Sequence, residues 1–224
     1  MSTPQLTSTS YAVLGLLGAR PCSTYELAQQ MDRVLNRFWP RTRSKLFEEP
    51  KKLVAHGLAE ATAEQVGRRP RTVYAITPAG RRALSAWVAE PGAGPVVEFE
   101  QLLKVFFAEN GTTADLRRTL ADIRAWAHER VLEDVAVGQA YVDGVGAYPQ
   151  RAAINQLVGH FLGDLVGLVD DWALWAEGVV STWPDDPSQA VHDQEELERT
   201  VAGSRRRATR YLRSGTSAAA RQPG

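Results

Sequence analysis

Residues 65–84 read QVGRRPRTVYAITPAGRRAL. LAEATAEQV at 58–66 and TVYAIT at 72–77 are short and partly β-prone, and the five residues GRRPR between them read as a hairpin loop. Thr77-Pro78 then opens a helix, with Thr77 as N-cap and Pro78 at the first helical position. Three arginines thus crowd one turn, at Arg68, Arg69 and Arg71, and a second pair follows at Arg81 and Arg82.

Upstream of this hairpin the pattern is helical. Ser10 to Leu17 is a short apolar run that stops at Gly18 to Pro21, and Ser23 or Thr24 caps STYELAQQMDRVLNRF. In that segment Tyr25, Leu27, Met31, Val34, Leu35 and Phe38 give one buried face. A third helix spans about residues 44–55, with Leu46, Leu53 and Val54 inward and Gly57 as its stop. Pro50 lies inside it and predicts a kink or a tightened turn. Three helices, a hairpin and a fourth helix form the order of a winged helix-turn-helix, and PGAGP at 91–95 marks its end.

Charge divides the chain in the same places. Residues 1–90 carry thirteen Lys and Arg against seven Asp and Glu, residues 91–203 seven against nineteen, and residues 204–224 six against none. A basic front and tail flank an acidic middle, so only the ends suit a polyanion. The middle continues in helical rhythm, first through Leu116, Leu120, Ile123, Ala127, Val131 and Val135. Val158, Phe161, Leu165, Leu168, Trp172, Trp175 and Val179 then carry it on. A seam of threes and fours sustained so long seeks a partner helix. Beyond Pro184 a weak helix over 195–212 and a disordered SGTSAAARQPG end are expected.

Enzyme chemistry finds no support. His56, His128, His160 and His192 form neither an H-E-x-x-H nor a Cys-x-x-Cys site, so neither a metal nor a cofactor is expected. No nucleophile elbow, Walker loop or dinucleotide fingerprint occurs. Asp170-Asp171 and Asp185-Asp186 are adjacent pairs whose carboxylates diverge on a helix. Cys22 is the single cysteine, which suits a reducing compartment. YAVLGLLGA at 11–19 is too short for a membrane span and lacks a basic flank, so a soluble, cytoplasmic protein without a membrane partner is expected.

Four segments in order, YAVLGLLGARP, STYELAQQM, FWPRTRSKLFEEPKKLVAHGLAE and GRRPRTVYAITPAGRRAL, resemble the PadR family of transcriptional regulators. Ser23-Thr24 stand where that family often has His-Gly, and Leu46-Phe47-Glu48 where it has Leu-Tyr-Pro, with the proline deferred to Pro50. The resemblance implies a mainly α fold with a small β hairpin. A winged helix-turn-helix over 1–90 precedes a helical dimerisation and effector domain over 91–183 and a basic tail over 184–224. It implies a nucleoid-associated homodimeric repressor that reads an inverted-repeat operator in double-stranded DNA. A small hydrophobic or aromatic effector would release it.

On this architecture the recognition helix lies in the major groove and the wing reaches phosphates or the minor groove. Ser44, Lys45 and Glu48 are expected near base edges. Arg41, Arg43 and Lys52, with Arg68, Arg69 and Arg71 of the wing, are expected on phosphates. Lys51 serves either DNA or a solvated face, and Tyr25 either bonds a phosphate or packs. Trp87, Trp126, Trp172 and Trp175 offer stacking surfaces for an effector, or fill core and interface. The other reading of the head is a protein-interaction module without sequence-specific DNA binding, which would not need the wing arginines. A repressor of the TetR type has a helical body but no hairpin.

Overall fold

The computed structural model describes residues 6–40, 43–66 and 69–219, with the side chains of all but 43–45, 66, 69 and 214–219. The chain divides into two compact units, Met1–Pro95 and Val96–Gly224.

The first unit is built around α1 (Ser8–Ala19). Thr7 caps it in a reciprocal box, its Oγ1 accepting from the Ser10 amide at 3.2 Å while its own amide donates to Ser10 Oγ at 3.0 Å. Val13, Leu14, Leu16 and Leu17 are buried, so α1 serves as the central helix of this core. Strand β1 (Cys22–Ser23) follows and pairs with β3, an element too short to show any alternation in the sequence. Ser23 is also the N-cap of α2 (Thr24–Gln30): its Oγ accepts from the Glu26 amide at 3.3 Å. The helix expected to run on from here changes form at Met31–Leu35, a π-type turn closed by the Asn36 amide on the Met31 carbonyl at 2.9 Å.

Helix α3 (Arg43–Ala55) continues through Pro50, whose side chain is fully buried. It ends in a Schellman turn. Gly57 takes φ +68° and the Leu58 amide reaches back to the Leu53 carbonyl at 2.9 Å. Strands β2 (Ala59–Val66) and β3 (Arg69–Ile76) form the wing, in a sheet of order β1-β3-β2. Thr77 then caps α4 (Pro78–Ala89) from the front, its Oγ1 accepting from the Gly80 amide at 3.1 Å and donating to the Gly57 carbonyl at 2.8 Å. A Cβ at Gly80 would stand 2.1 Å from the Leu58 carbonyl oxygen, so only glycine lets α4 start this close to the end of α3.

The second unit holds α5 (Glu100–Phe106), α6 (Thr113–Val142), α7 (Ala152–Val180) and α8 (Gln194–Ala219). Helices α6 and α7 run antiparallel, as the ladder of cross-pairs demands: Thr113 meets Pro184 and Asp185, Arg117 meets Ser181, and Asn155 meets Tyr141. Leu116, Leu120 and Ile123 pack against Ala173, Ala176 and Val180. Arg124 bridges to Asp170 at 3.2 Å and Glu177 at 3.0 Å. By length and composition alone α7 is apolar enough to cross a bilayer. Helix α8 runs to Ala219, well past the weak helix over 195–212 and into the stretch expected to be disordered. Alanines there and the absence of proline before Pro223 favour continued helix.

Candidate nucleic-acid interface

The phase of α3 decides which residues it can offer. Leu46, Pro50 and Leu53 are sunk in the core, one turn apart, and this turns Phe47, Glu48 and Lys51 to solvent. Lys52 lies half-buried beside that face. Arg43, Ser44 and Lys45 belong to the first turn of α3, where the backbone alone is described, and Arg41 lies outside the described residues. Glu49 turns inward instead, accepting from Ser10 Oγ at 2.7 Å and joining α3 to α1.

Phe47 is the residue the sequence reading left without a role. It is an aromatic side chain, 45% exposed, between Glu48 and the buried Leu46. The signal was its spacing: Phe47 and Lys51 are four apart, one turn on the outward face. Tyr25 also departs from the packing role. It is 65% exposed, and its hydroxyl accepts from Gln29 Nε2 at 3.2 Å, because Leu27, Ala28 and Met31 take the buried face of this segment.

The wing is tighter than a five-residue loop. Pairing continues through Glu64↔Arg71 and Gln65↔Pro70 to Val66↔Arg69, so only Gly67 and Arg68 connect the strands, and both lie outside the described residues. Arg69 and Pro70 are strand residues. Pro70 sits where β3 has β2 on one side only, since β1 reaches no further than Val73 and Tyr74, and such an open edge tolerates a missing N–H.

Arg71 lies in the outer half of the wing, two pairs from its tip, and its side chain is held. Its Nη2 and Nε donate to Glu64 at 2.9 and 3.1 Å, and its Nη1 stands 3.6 Å from Glu26. Glu26 in turn accepts from the Ser23 amide and hydroxyl, each at 2.7 Å. Those two bonds, and then the Arg71 and Arg20 charges, hold its carboxyl below the usual range. Arg81, from the second arginine pair, donates to the Gly18 carbonyl at 3.4 Å and so braces α4 against α1.

The four tryptophans offered as effector surfaces, of six in the chain, have separate surroundings. Trp87 stacks on Tyr11 in the first unit, with ring centroids 4.8 Å apart and planes 7° apart. Trp126 lies under the Arg130 guanidinium at 5.7 Å. Trp172 packs against the α6–α7 core, while Trp175, three residues on, is half exposed. No group of three or more His, Cys, Asp or Glu arranged to hold a metal occurs among the described residues.

Residues 13–86 match the family model of the transcriptional regulator PadR-like family. The match lies within the first unit, whose helices and three-stranded sheet form a winged helix like that family's. A probable transcriptional regulator of Mycobacterium tuberculosis is 35% identical to the chain over 82 residues, 36% of this chain and 43% of that protein. The negative transcriptional regulator PadR of Bacillus subtilis is 30% identical over 99 residues, 43% of this chain and 54% of that protein. The matches therefore span about half the length of these relatives, both named as transcriptional regulators rather than enzymes. The fold is also similar to that of B. subtilis PadR solved with operator DNA. That structure has a TM-score of 0.65 at 20% identity, over 78% of this chain and 99% of that one. The same B. subtilis protein solved with p-coumaric acid gives a TM-score of 0.62 at 19% identity, over 78% and 99%.

Proposed function

We propose that the protein is a cytoplasmic, nucleoid-associated transcriptional regulator. It would be a homodimeric repressor that occupies an inverted-repeat operator and leaves it when a small aromatic or hydrophobic effector binds. The observation that carries the DNA-binding part is the outward face of α3, with Phe47, Glu48 and Lys51 projecting from a helix whose opposite face is fixed in the core. In this reading Ser44, Lys45 and Glu48 meet base edges in the major groove, and Glu48 accepts from a cytosine amine. Tyr25, Arg41, Arg43, Lys51, Lys52, Arg68 and Arg69 meet phosphates. Arg71, already engaged by Glu64 and Glu26, sets the angle of the wing and contributes less to phosphate binding.

The dimer rests on apolar residues that one chain leaves wet. Leu157 is 74% exposed, Phe161 58% and Leu168 64%, along one side of α7, and Leu132 and Val135 are exposed on α6. Exposed apolar area of this extent in regular helices marks an interface, and a two-fold pair would present two heads to two half-sites. Residues 91–183 would form this dimerisation and effector region, with Trp126, Trp172 and Trp175, and Trp87 of the head, as the aromatic surfaces tested first. The B. subtilis protein solved with operator DNA and with p-coumaric acid supports the pairing of DNA with an aromatic effector.

The test is fluorescence anisotropy on labelled DNA from upstream of the protein's own gene, across several salt concentrations. Arg68/Arg69→Ala should weaken binding and reduce the log–log salt slope by about 2 if each arginine neutralises one phosphate. Binding no tighter than to random DNA, unchanged in the variant, would refute the reading and turn the search to protein partners of the head.

A further inference from the structure

Helix α8 has a property that neither the DNA-binding head nor the α6–α7 seam uses. Four of its apolar residues, Leu197, Val201, Ala208 and Leu212, recur at steps of four, seven and four. At about 100° per residue they fall on one narrow stripe. The three large ones remain wet in the single chain: Leu197 is 50% exposed, Val201 42% and Leu212 74%, with Tyr211 beside them at 68%. The spacing is the same read from either end, with its centre between Ser204 and Arg205.

The charge does the opposite. Residues 193–199 hold Asp193, Glu195, Glu196 and Glu198 against Arg199 alone, which is tied to Glu196 at 2.8 Å and Glu195 at 3.8 Å. Residues 205–213 hold Arg205, Arg206, Arg207, Arg210 and Arg213 and no acid. One end is therefore negative and the other strongly positive, while the apolar stripe is symmetric.

A helix with a symmetric stripe and reversed charge is complementary to itself turned end for end. We propose that α8 is a self-association element that pairs antiparallel with α8 of a second copy of this chain. Leu197 then packs against Leu212 of the second copy, and Val201 against its Ala208. Each acidic end lies along a basic end, twice, by two-fold symmetry. Parallel pairing would set acid beside acid and arginine beside arginine, at a cost of the same sign at both ends. A polyanion would engage residues 205–213 but repel residues 193–198 and leave the apolar stripe in water. The pairing is separate from the dimer proposed above, whose seam lies on α6 and α7.

Disulfide trapping in the whole 224-residue chain tests it. In an antiparallel pair, position 197 of one copy faces position 212 of the other, while the two copies of position 197 stand some fifteen residues apart along the axis, about 22 Å. Under mild oxidation, Leu197→Cys/Leu212→Cys should give a disulfide-linked two-copy species on a denaturing gel. Leu197→Cys alone, and the wild type with its buried Cys22, should give none. Both positions are exposed, so circular dichroism should show each variant folded like the wild type. Efficient linkage of Leu197→Cys alone would mean a parallel pair and overturn the proposal, as would the absence of linkage in the folded double variant. Replacing all five arginines of 205–213 by glutamine should reduce trapping of the double variant at least tenfold. If the replacement instead leaves trapping unchanged and lowers DNA affinity tenfold, the arginines serve DNA and the charge argument for the pair is wrong.

Discussion

In the head, Leu14, Leu17, Leu27, Leu46 and Leu53 are each no more than 1% exposed, whereas Leu157 of α7 is 74% and Phe161 58% exposed. Both sets lie in well-formed helices with apolar residues at steps of three and four, so periodicity alone does not distinguish them. The head closes its own core: helices cross a small sheet, and the Thr7, Ser23 and Thr77 caps and the Gly57 turn satisfy the ends. The α6–α7 hairpin buries one side and leaves others wet. A buried helix and a largely wet one share one sequence signature, and the difference lies in how many neighbours a single chain can supply.

The sharpest way to break this contrast is to cut the same side chain in both places. Leu53→Ala should destabilise the head by about 3 kcal/mol, measured by urea unfolding. Leu157→Ala should change the stability of the isolated chain by no more than about 0.5 kcal/mol. Leu157→Glu/Phe161→Glu should instead halve the mass seen by light scattering while the head stays folded. A similar loss of stability at both leucines, the same at every protein concentration, would make α7 an internal core helix rather than a seam.

Smaller effects refine the picture of the head. Gly80→Ala forces a methyl against the Leu58 carbonyl and should cost about 2 kcal/mol, read as a lower urea midpoint. Ser23→Ala removes the α2 cap and should cost about 1 kcal/mol at pH 7. Its effect should depend on pH. The Glu26 carboxyl is depressed in the folded protein first by the Ser23 amide, which alanine keeps, and then by the Ser23 hydroxyl, which it loses. The hydroxyl's share is therefore present above the ordinary value of 4.5 and lost as pH falls through the lower folded value. Urea unfolding at pH 7 and pH 3 should therefore show the gap between wild type and Ser23→Ala narrowing in acid. Arg71→Ala should have the least effect on stability, under about 1 kcal/mol for so exposed an ion pair. It should also leave the salt slope of DNA binding nearer to wild type than Arg69→Ala does, in the anisotropy titration.

What was legible in the sequence followed from residues whose chemistry permits few conformations. Thr77-Pro78 could only start a helix, Gly57 was a natural stop, and the hairpin between them was marked by its alternation. What escaped was decided by tertiary pairing. Cys22–Ser23 are only two residues of strand, visible once β3 lies beside them. The length of the wing loop depended on register, since nothing local distinguishes Arg69 and Pro70 in a strand from the same residues in a turn. Tyr25 read as either a phosphate contact or a packing residue because its spacing also fits a buried face, yet α2 buries only Leu27 and Ala28. Of the candidate DNA contacts, Glu48 and Lys51 stand on the outward face of α3. Arg71 shows how an arginine can belong to the right element and still be occupied by local carboxylates.

Ser23 belongs to two elements at once, closing the sheet through Val73 and capping α2, while Glu26 on that cap faces Arg71 of the wing. Any tilt of the wing away from α2 would have to pull on a helix cap and an ion pair together. Each tie is small, about 1 kcal/mol for the cap and less for the exposed ion pair, but both resist the same tilt, so in the proposed DNA complex the wing and α2 would move together. There, base contacts by α3 would be joined by a second source of discrimination, the joint movement of wing and α2, which places part of the strain of a poor site on the DNA.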